Sequence, residues 1–264
     1  MIESGTGPAV LLVHGLNGFK EGWGPLPAAL ADAGLRVVAV DLPGFGASPR
    51  LGHRTTPTSL ARALDPLIAE LAPVALIGHS LGTQVAMIAA AASPARVRAA
   101  ALVSPWVFPR PMRMPPKSVS DVLQIPVLGR LAARIAISRI RRSPERRRDA
   151  YLTAVADPGA LTRDTQMAAL LATASDRLRT ADLRAMADWA ASALAFDARP
   201  LAASIPQPVL VVCGTLDRIT TPPGAQWLAE ALPAGTMLSV PGVGHFPHLE
   251  QRDVVIPAIV GRVA

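Results

Sequence analysis

The chain has 264 residues, half of them apolar, and 26 basic against 19 acidic side chains for a net charge of +7. That length is enough to bury one large core carrying an insertion, and a single cysteine excludes an intramolecular disulfide framework. No uncharged run approaches the roughly 18 apolar residues of a membrane span, and residues 1–8 lack a basic segment leading into an apolar core, so the expected location is cytoplasmic.

Short apolar runs rich in Val, Leu and Ile predict strands at 10–13, 37–40, 74–77, 99–103, 209–213 and 236–240. Several are apolar at every position, as expected of strands covered by helices on both faces. Helical patterns at 25–33, 58–71, 81–92, 225–231 and 254–263 alternate with them, which predicts an α/β, doubly wound, mostly parallel sheet. Residues 105–199 contain no convincing strand and break into helical pieces at 127–142, 144–155, 162–175 and 181–194. This stretch is expected to be a helical cap inserted into a core domain of residues 1–104 and 200–264. Cys213, inside an apolar run, is expected to fill the core.

The most informative local feature is Gly78-His79-Ser80-Leu81-Gly82, which lies between a predicted strand and a predicted helix. A serine between glycines at such a junction is a nucleophile elbow: small neighbours let the chain turn sharply and lift the hydroxyl above the sheet. The Leu81 amide, at the helix start, then faces a developing oxyanion. His14-Gly15 ends an earlier strand and turns the Leu16 amide toward the same space. Gly214-Thr215-Leu216-Asp217 places a carboxylate after one strand, and Gly242-Val243-Gly244-His245 places an imidazole after the last. Sites in open α/β sheets gather at these carboxyl ends. A serine hydroxyl is a weak nucleophile that needs an imidazole to take its proton, and the imidazole needs a carboxylate to set its tautomer. Ser80, Asp217 and His245 supply that set in order.

The other histidines read differently. His53 lies in a polar surface stretch, His14 and His79 suit loop bracing, and His248 competes with His245 but lacks its glycine-rich approach. Asp41, followed by Leu42-Pro43-Gly44-Phe45-Gly46, reads as a turn stabiliser rather than the triad acid.

These motifs, with Val13-His14-Gly15, the 41–48 segment and Gly244-His245-Phe246-Pro247-His248-Leu249-Glu250, resemble the α/β-hydrolase family with a helical cap across essentially the whole length. The resemblance implies a Ser80 nucleophile, a His245 base, an Asp217 acid and oxyanion donors at Leu16 and Leu81. It also implies a carboxylesterase or lactonase acting on a small apolar ester. A carbon-carbon bond hydrolase of vinylogous diketones is the alternative, although Gly15-Leu16-Asn17-Gly18 and Phe246 depart from its usual oxyanion loop and tryptophan. A non-enzymatic binding protein of this fold would be expected to lose a triad member. Thr83 stands where the family often has glycine after the elbow. Two antiparallel strands usually precede the His-Gly motif, and here only 13 residues do, so residues 2–5 are expected to be a remnant of the second.

Asn17, Trp106 and Phe108 are the expected pocket residues, the last two because they follow the 99–103 strand where it opens over the site. No metal-ligand spacing, phosphate loop or dinucleotide fingerprint is present, so no metal or cofactor is expected. Residues 110–149 hold eleven basic and three acidic side chains. With only Tyr151 nearby for stacking, this patch does not suggest nucleic-acid binding. A solvated face is the expectation, with contact to an anionic membrane or attraction of an anionic substrate as alternatives. A shortened sheet edge would favour a homodimer.

Overall fold

The apolar runs form a single seven-stranded sheet in a computed structural model that describes residues 1–109 and 128–264. Its strands are β1 Ile2–Ser4, β2 Ala9–Val13, β3 Arg36–Ala39, β4 Val74–His79, β5 Val97–Val103, β6 Val209–Gly214 and β7 Gly235–Val240. They lie in the order β1-β3-β2-β4-β5-β6-β7. β2 through β7 pair in parallel, and only β1 is antiparallel, with Ile2 opposite Ala39 of β3. Residues 2–5 thus supply a three-residue strand at the edge of this sheet.

Alternation along the strands divides the core in two. Val10, Leu12, Val37, Ala75, Ile77 and Ala101 pack with α1 (Leu26–Asp32) and α12 (Arg252–Val263). Leu11, Val13, Val38, Leu76, Ala100 and Leu102 face the other way, against α2 (Pro57–Leu71) and α3 (Gly82–Ala92). Because side chains alternate with period two, a one-residue slip of any inner strand would exchange these sets, and burial on both faces makes the register specific. α2 begins with a reciprocal cap: Ser59 N–H donates to Thr56 Oγ1, and Thr56 N–H donates to Ser59 Oγ. α10 (Pro222–Ala231) follows β6, and α11 (Pro247–Glu250) follows β7.

Among the described residues, every regular element between β5 and β6 is a helix: α4 Leu128–Arg142, α5 Pro144–Leu152, α6 Pro158–Arg163, α7 Thr165–Thr180, α8 Leu183–Ala193 and α9 Arg199–Ala202. Ser143, Asp157, Asp164 and Asp182 each accept backbone N–H groups at a helix start. Two of these helices depart most from the sequence expectation. The predicted 162–175 helix is two helices, because Asp164 caps α7 through Gln166 and Met167 and so ends α6. The predicted 144–155 helix stops at Leu152, and the chain beyond it leaves the helical path to meet the loop after β7.

The basic patch is not uniformly solvated. Arg147 is buried and donates to the Arg141 carbonyl and Ser175 Oγ, so this cation is structural. Arg110, Arg113, Lys117, Asp121 and the first residue of the predicted 127–142 helix lie outside the described residues. No helix among the described residues is long and apolar enough to cross a membrane.

Candidate active site

Ser80 stands between β4 and α3 with φ 53°, one of two non-glycine residues in the left-handed region among the described residues. Holding such a backbone costs on the order of 1–3 kcal/mol, so the surroundings must enforce it. They do: Ser80 N–H donates to the Val103 carbonyl of β5, and Thr83 Oγ1 donates to the Ser80 carbonyl at 2.5 Å. Thr83 thus braces the carbonyl side of the elbow. The flanking glycines are required by space: a Cβ on Gly82 would sit 2.2 Å from the Val13 carbonyl oxygen.

The three sequence-predicted polar residues converge. Ser80 Oγ donates to His245 Nε2 at 2.9 Å, and His245 Nδ1 donates to Asp217 Oδ2 at 2.9 Å. Asp217 also accepts from the Ile219 and Thr220 amides at Oδ1 and from Thr220 Oγ1 at Oδ2. Burial pushes its carboxyl up, but hydrogen bonds and charge from His245, with those from Thr220, outweigh it and leave the pKa at about 2. The acid is therefore ionised at neutral pH, and its acceptor oxygen fixes the His245 tautomer with Nε2 free to accept from Ser80.

Three of the other four histidines are structural supports, and His53 is exposed, as its polar stretch suggests. His14 donates from Nδ1 to the Gly15 carbonyl and accepts the Leu42 amide at Nε2, with burial lowering its pKa to about 4. His79 donates from Nε2 to the His245 carbonyl at 2.9 Å and stacks on Phe246; burial, with His245 and His248 beside it, holds it well below the usual histidine range. His248 is buried against Trp23 and His79, and burial followed by the proximity of His245 lowers it to about 3. Asp41 accepts from Lys20 N, Lys20 Nζ and the Ala47 amide, which makes it the turn clamp its sequence context suggests. Cys213 is buried in β6, and burial pushes its thiol up to about 12.

These shifts set an acid limit on stability. A histidine whose pKa is lowered by folding binds protons more readily in the unfolded chain, so stability is lost as pH falls below the unfolded value of about 6.5. Asp217 adds a loss that begins below its unfolded value and continues toward about 2. The melting temperature is expected to fall from pH 7 to pH 4, more steeply in the wild type than in His248→Phe, which removes one such group.

Ser80 opens into a cavity of about 300 Å³. Leu16, Asn17, Leu81, Trp106, Tyr151 and Phe246 are among its mostly apolar lining. The Leu16 and Leu81 amides donate to no backbone carbonyl among the described residues; Leu16 lies in the loop after β2, Leu81 is the N-cap of α3, and both residues line the cavity. Phe108 departs from expectation. It packs against Trp227 of α10 with Arg199 over its ring and does not line the cavity, because the chain after Trp106 turns toward α9 and α10. Two contacts were not anticipated from the sequence: Tyr151 Oη donates to the Asn17 carbonyl, and Glu250 bonds three backbone amides.

Sheet, elbow and convergent side chains define a hydrolase-type α/β protein, and the comparison with known families places it further. Residues 10–258 match the alpha/beta hydrolase family, and the chain belongs to it. It is 28% identical to the pimeloyl-[acyl-carrier protein] methyl ester esterase of Chromobacterium violaceum, over 97% of this chain and 94% of that protein. A shorter match, 42% identical over 40% of this chain, is to the dihydrolipoyllysine-residue acetyltransferase component of the acetoin cleaving system of Cupriavidus necator, of which it spans only 29%. In fold it is similar to the enol-lactonase of Burkholderia xenovorans LB400, with TM-score 0.78, 22% identity, and coverage of 98% of this chain and 94% of the other.

Proposed function

We propose that this protein is a serine hydrolase of carboxylic esters with Ser80 as nucleophile, His245 as base and acid, and Asp217 as the residue that orients and stabilises the imidazole. One observation carries the reading: the Ser80–His245–Asp217 relay, with both links at 2.9 Å, opens into a mostly apolar cavity. In the first half-reaction Ser80 Oγ bonds to the ester carbonyl carbon while its proton passes to His245 Nε2. The carbonyl oxygen becomes an anion facing the Leu16 and Leu81 N–H groups, and donors fixed before the reaction stabilise that charge without reorganising. His245 then gives its proton to the departing alkoxide, leaving an acyl-serine. Water repeats the sequence: its proton goes to His245, its oxygen bonds to the acyl carbon, and Ser80 leaves and recovers the proton.

The described part of the 105–199 stretch acts in this reading as a cap, Trp106 and residues between 150 and 194 facing the acyl group. A cavity of about 300 Å³, at the small end of ligand pockets, suits a short to medium acyl chain. The esterase relative supports ester chemistry, and the lactonase neighbour makes a cyclic ester a reasonable member of the same class. The test is a series of p-nitrophenyl esters of rising acyl length beside a lactone and a vinylogous diketone. Turnover of the esters, peaking at short to medium chains, is the expected result. Cleavage of the diketone with all esters untouched would overturn it in favour of carbon-carbon bond hydrolysis.

A further inference from the structure

The loop that presents His245 is held from outside by a side chain the catalytic relay does not use. Glu250, on α11, accepts the Gly244 amide at Oε2 (2.9 Å) and the Phe246 amide at Oε1 (3.0 Å), so it grips the backbone on both sides of the base. Its Oε2 also accepts the Ala156 amide at 2.7 Å, and Ala156 belongs to the helical insertion. The same stretch makes a second bond, from His245 N–H to the Ala154 carbonyl at 2.8 Å. Gly244 permits this approach: a Cβ there would lie 2.7 Å from the Ala154 oxygen and 2.8 Å from the Ala156 nitrogen, both backbone atoms. The early end of α5 at Leu152 releases these backbone groups for the purpose. One turn earlier, Tyr151 ties the same segment to the carbonyl of Asn17, beside Leu16.

We infer that Glu250 is a positioning residue that fastens the His245 loop to residues 154–156 of the insertion, so that the insertion completes the geometry of the base as well as covering the pocket. Hydrogen bonds from N–H groups to a carboxylate are the short, strong kind, and three of them on one side chain define a loop better than backbone contacts alone. Loss of the clasp leaves Ser80, His245 and Asp217 in place chemically but lets the imidazole wander from its hydrogen-bonding position. Misplacement of a reacting group by about 1 Å costs on the order of a hundredfold in rate.

The inference rests on the ester-hydrolase reading, and its test separates the two. The full chain is compared with Glu250→Ala and Glu250→Gln for kcat and KM on a p-nitrophenyl ester, for the rate of fluorophosphonate capture at Ser80, for Tm, and for the downfield proton resonance of the His245 Nδ1–H bonded to Asp217. Glu250→Ala is expected to lower kcat on the order of a hundredfold with KM little changed, to slow capture in parallel, and to broaden or abolish the resonance below Tm. Glu250→Gln should lose less. Its carbonyl still accepts from Gly244 and Ala156, whereas its NH₂ opposes the Phe246 amide. An unchanged kcat and resonance in Glu250→Ala, or a lowered Tm with kcat per folded molecule intact, would overturn the inference. If Glu250→Ala does not fold, Glu250→Gln decides on the same criteria. If the wild type hydrolyses no ester, the ester reading fails, and the resonance and the capture rate still decide the role of Glu250.

Discussion

Ser80→Ala and His245→Ala are each expected to reduce ester turnover by about a thousandfold or more, because members of a nucleophile-base pair act as a unit. The fold should survive both changes. The bonds that hold the elbow run through backbone atoms, Ser80 N–H to Val103 and the Ser80 carbonyl from Thr83. Those at position 245 do the same, with the amide on Ala154 and the carbonyl accepting from His79. Neither set depends on the side chain removed, so circular dichroism should stay native in both while activity disappears; Tm should stay close to wild type in Ser80→Ala and fall in His245→Ala, which takes a hydrogen-bond partner from the buried Asp217 carboxylate. A fluorophosphonate should add one label to the peptide containing Ser80 and none in Ser80→Ala. Cys213 should stay unmodified in the folded protein, its thiol being buried and pushed up to about 12. Retention of more than about a tenth of wild-type activity by Ser80→Ala would defeat the assignment of the nucleophile, given the losses that triad mutations cause elsewhere.

Asp217→Asn is expected to lower kcat by roughly ten thousandfold through the tautomer of its partner rather than through loss of structure. The asparagine oxygen should take the place of Oδ1, where it accepts the Ile219 and Thr220 amides. Its NH₂ then occupies the Oδ2 position and points at His245 Nδ1. A donor there makes Nδ1 the acceptor and moves the ring proton to Nε2, which faces Ser80 and is no longer able to take its proton. The check is a steady-state measurement on the same ester with Tm recorded alongside. A variant with near-normal kcat would require the orienting acid to be sought at another residue.

Much of this arrangement is local and so can be read along the chain. The elbow depends on a serine between glycines at a strand-helix junction, and space alone explains the glycine at 82, where Val13 passes within 2.2 Å of a would-be Cβ. Alternating burial on both sheet faces shows in the continuous apolar runs. The order of serine, carboxylate and imidazole is visible because each follows its own strand. The place of Phe108 is not legible because residues so close to a strand end point wherever the following chain turns, and here it turns toward Trp227. The end of α5 is not legible because Thr153, Ala154 and Val155 carry no helix stop; the chain leaves the helix where the Ala154 carbonyl accepts the His245 amide and the Ala156 amide donates to Glu250. Arg147 resembled its solvated neighbours in composition and is distinguished only by the carbonyl and hydroxyl it meets.

The amino-acid sequence by itself determined the strand and helix periods, the sharp turn at Ser80 and the three polar residues at the carboxyl ends of β4, β6 and β7, because these follow from patterns within a few residues. Only the tertiary structure decided which groups His14 and His79 brace and that His248 is buried beside them, that Phe108 turns away from the cavity, and that Glu250 and Tyr151 join the insertion to the loops around Ser80. The reason is distance along the chain. Tyr151 meets Asn17 across 134 positions and Ala156 meets Glu250 across 94, so whether the Tyr151 hydroxyl finds an acceptor and the Glu250 carboxylate finds donors is set by how the helices pack over the sheet, which no local pattern encodes.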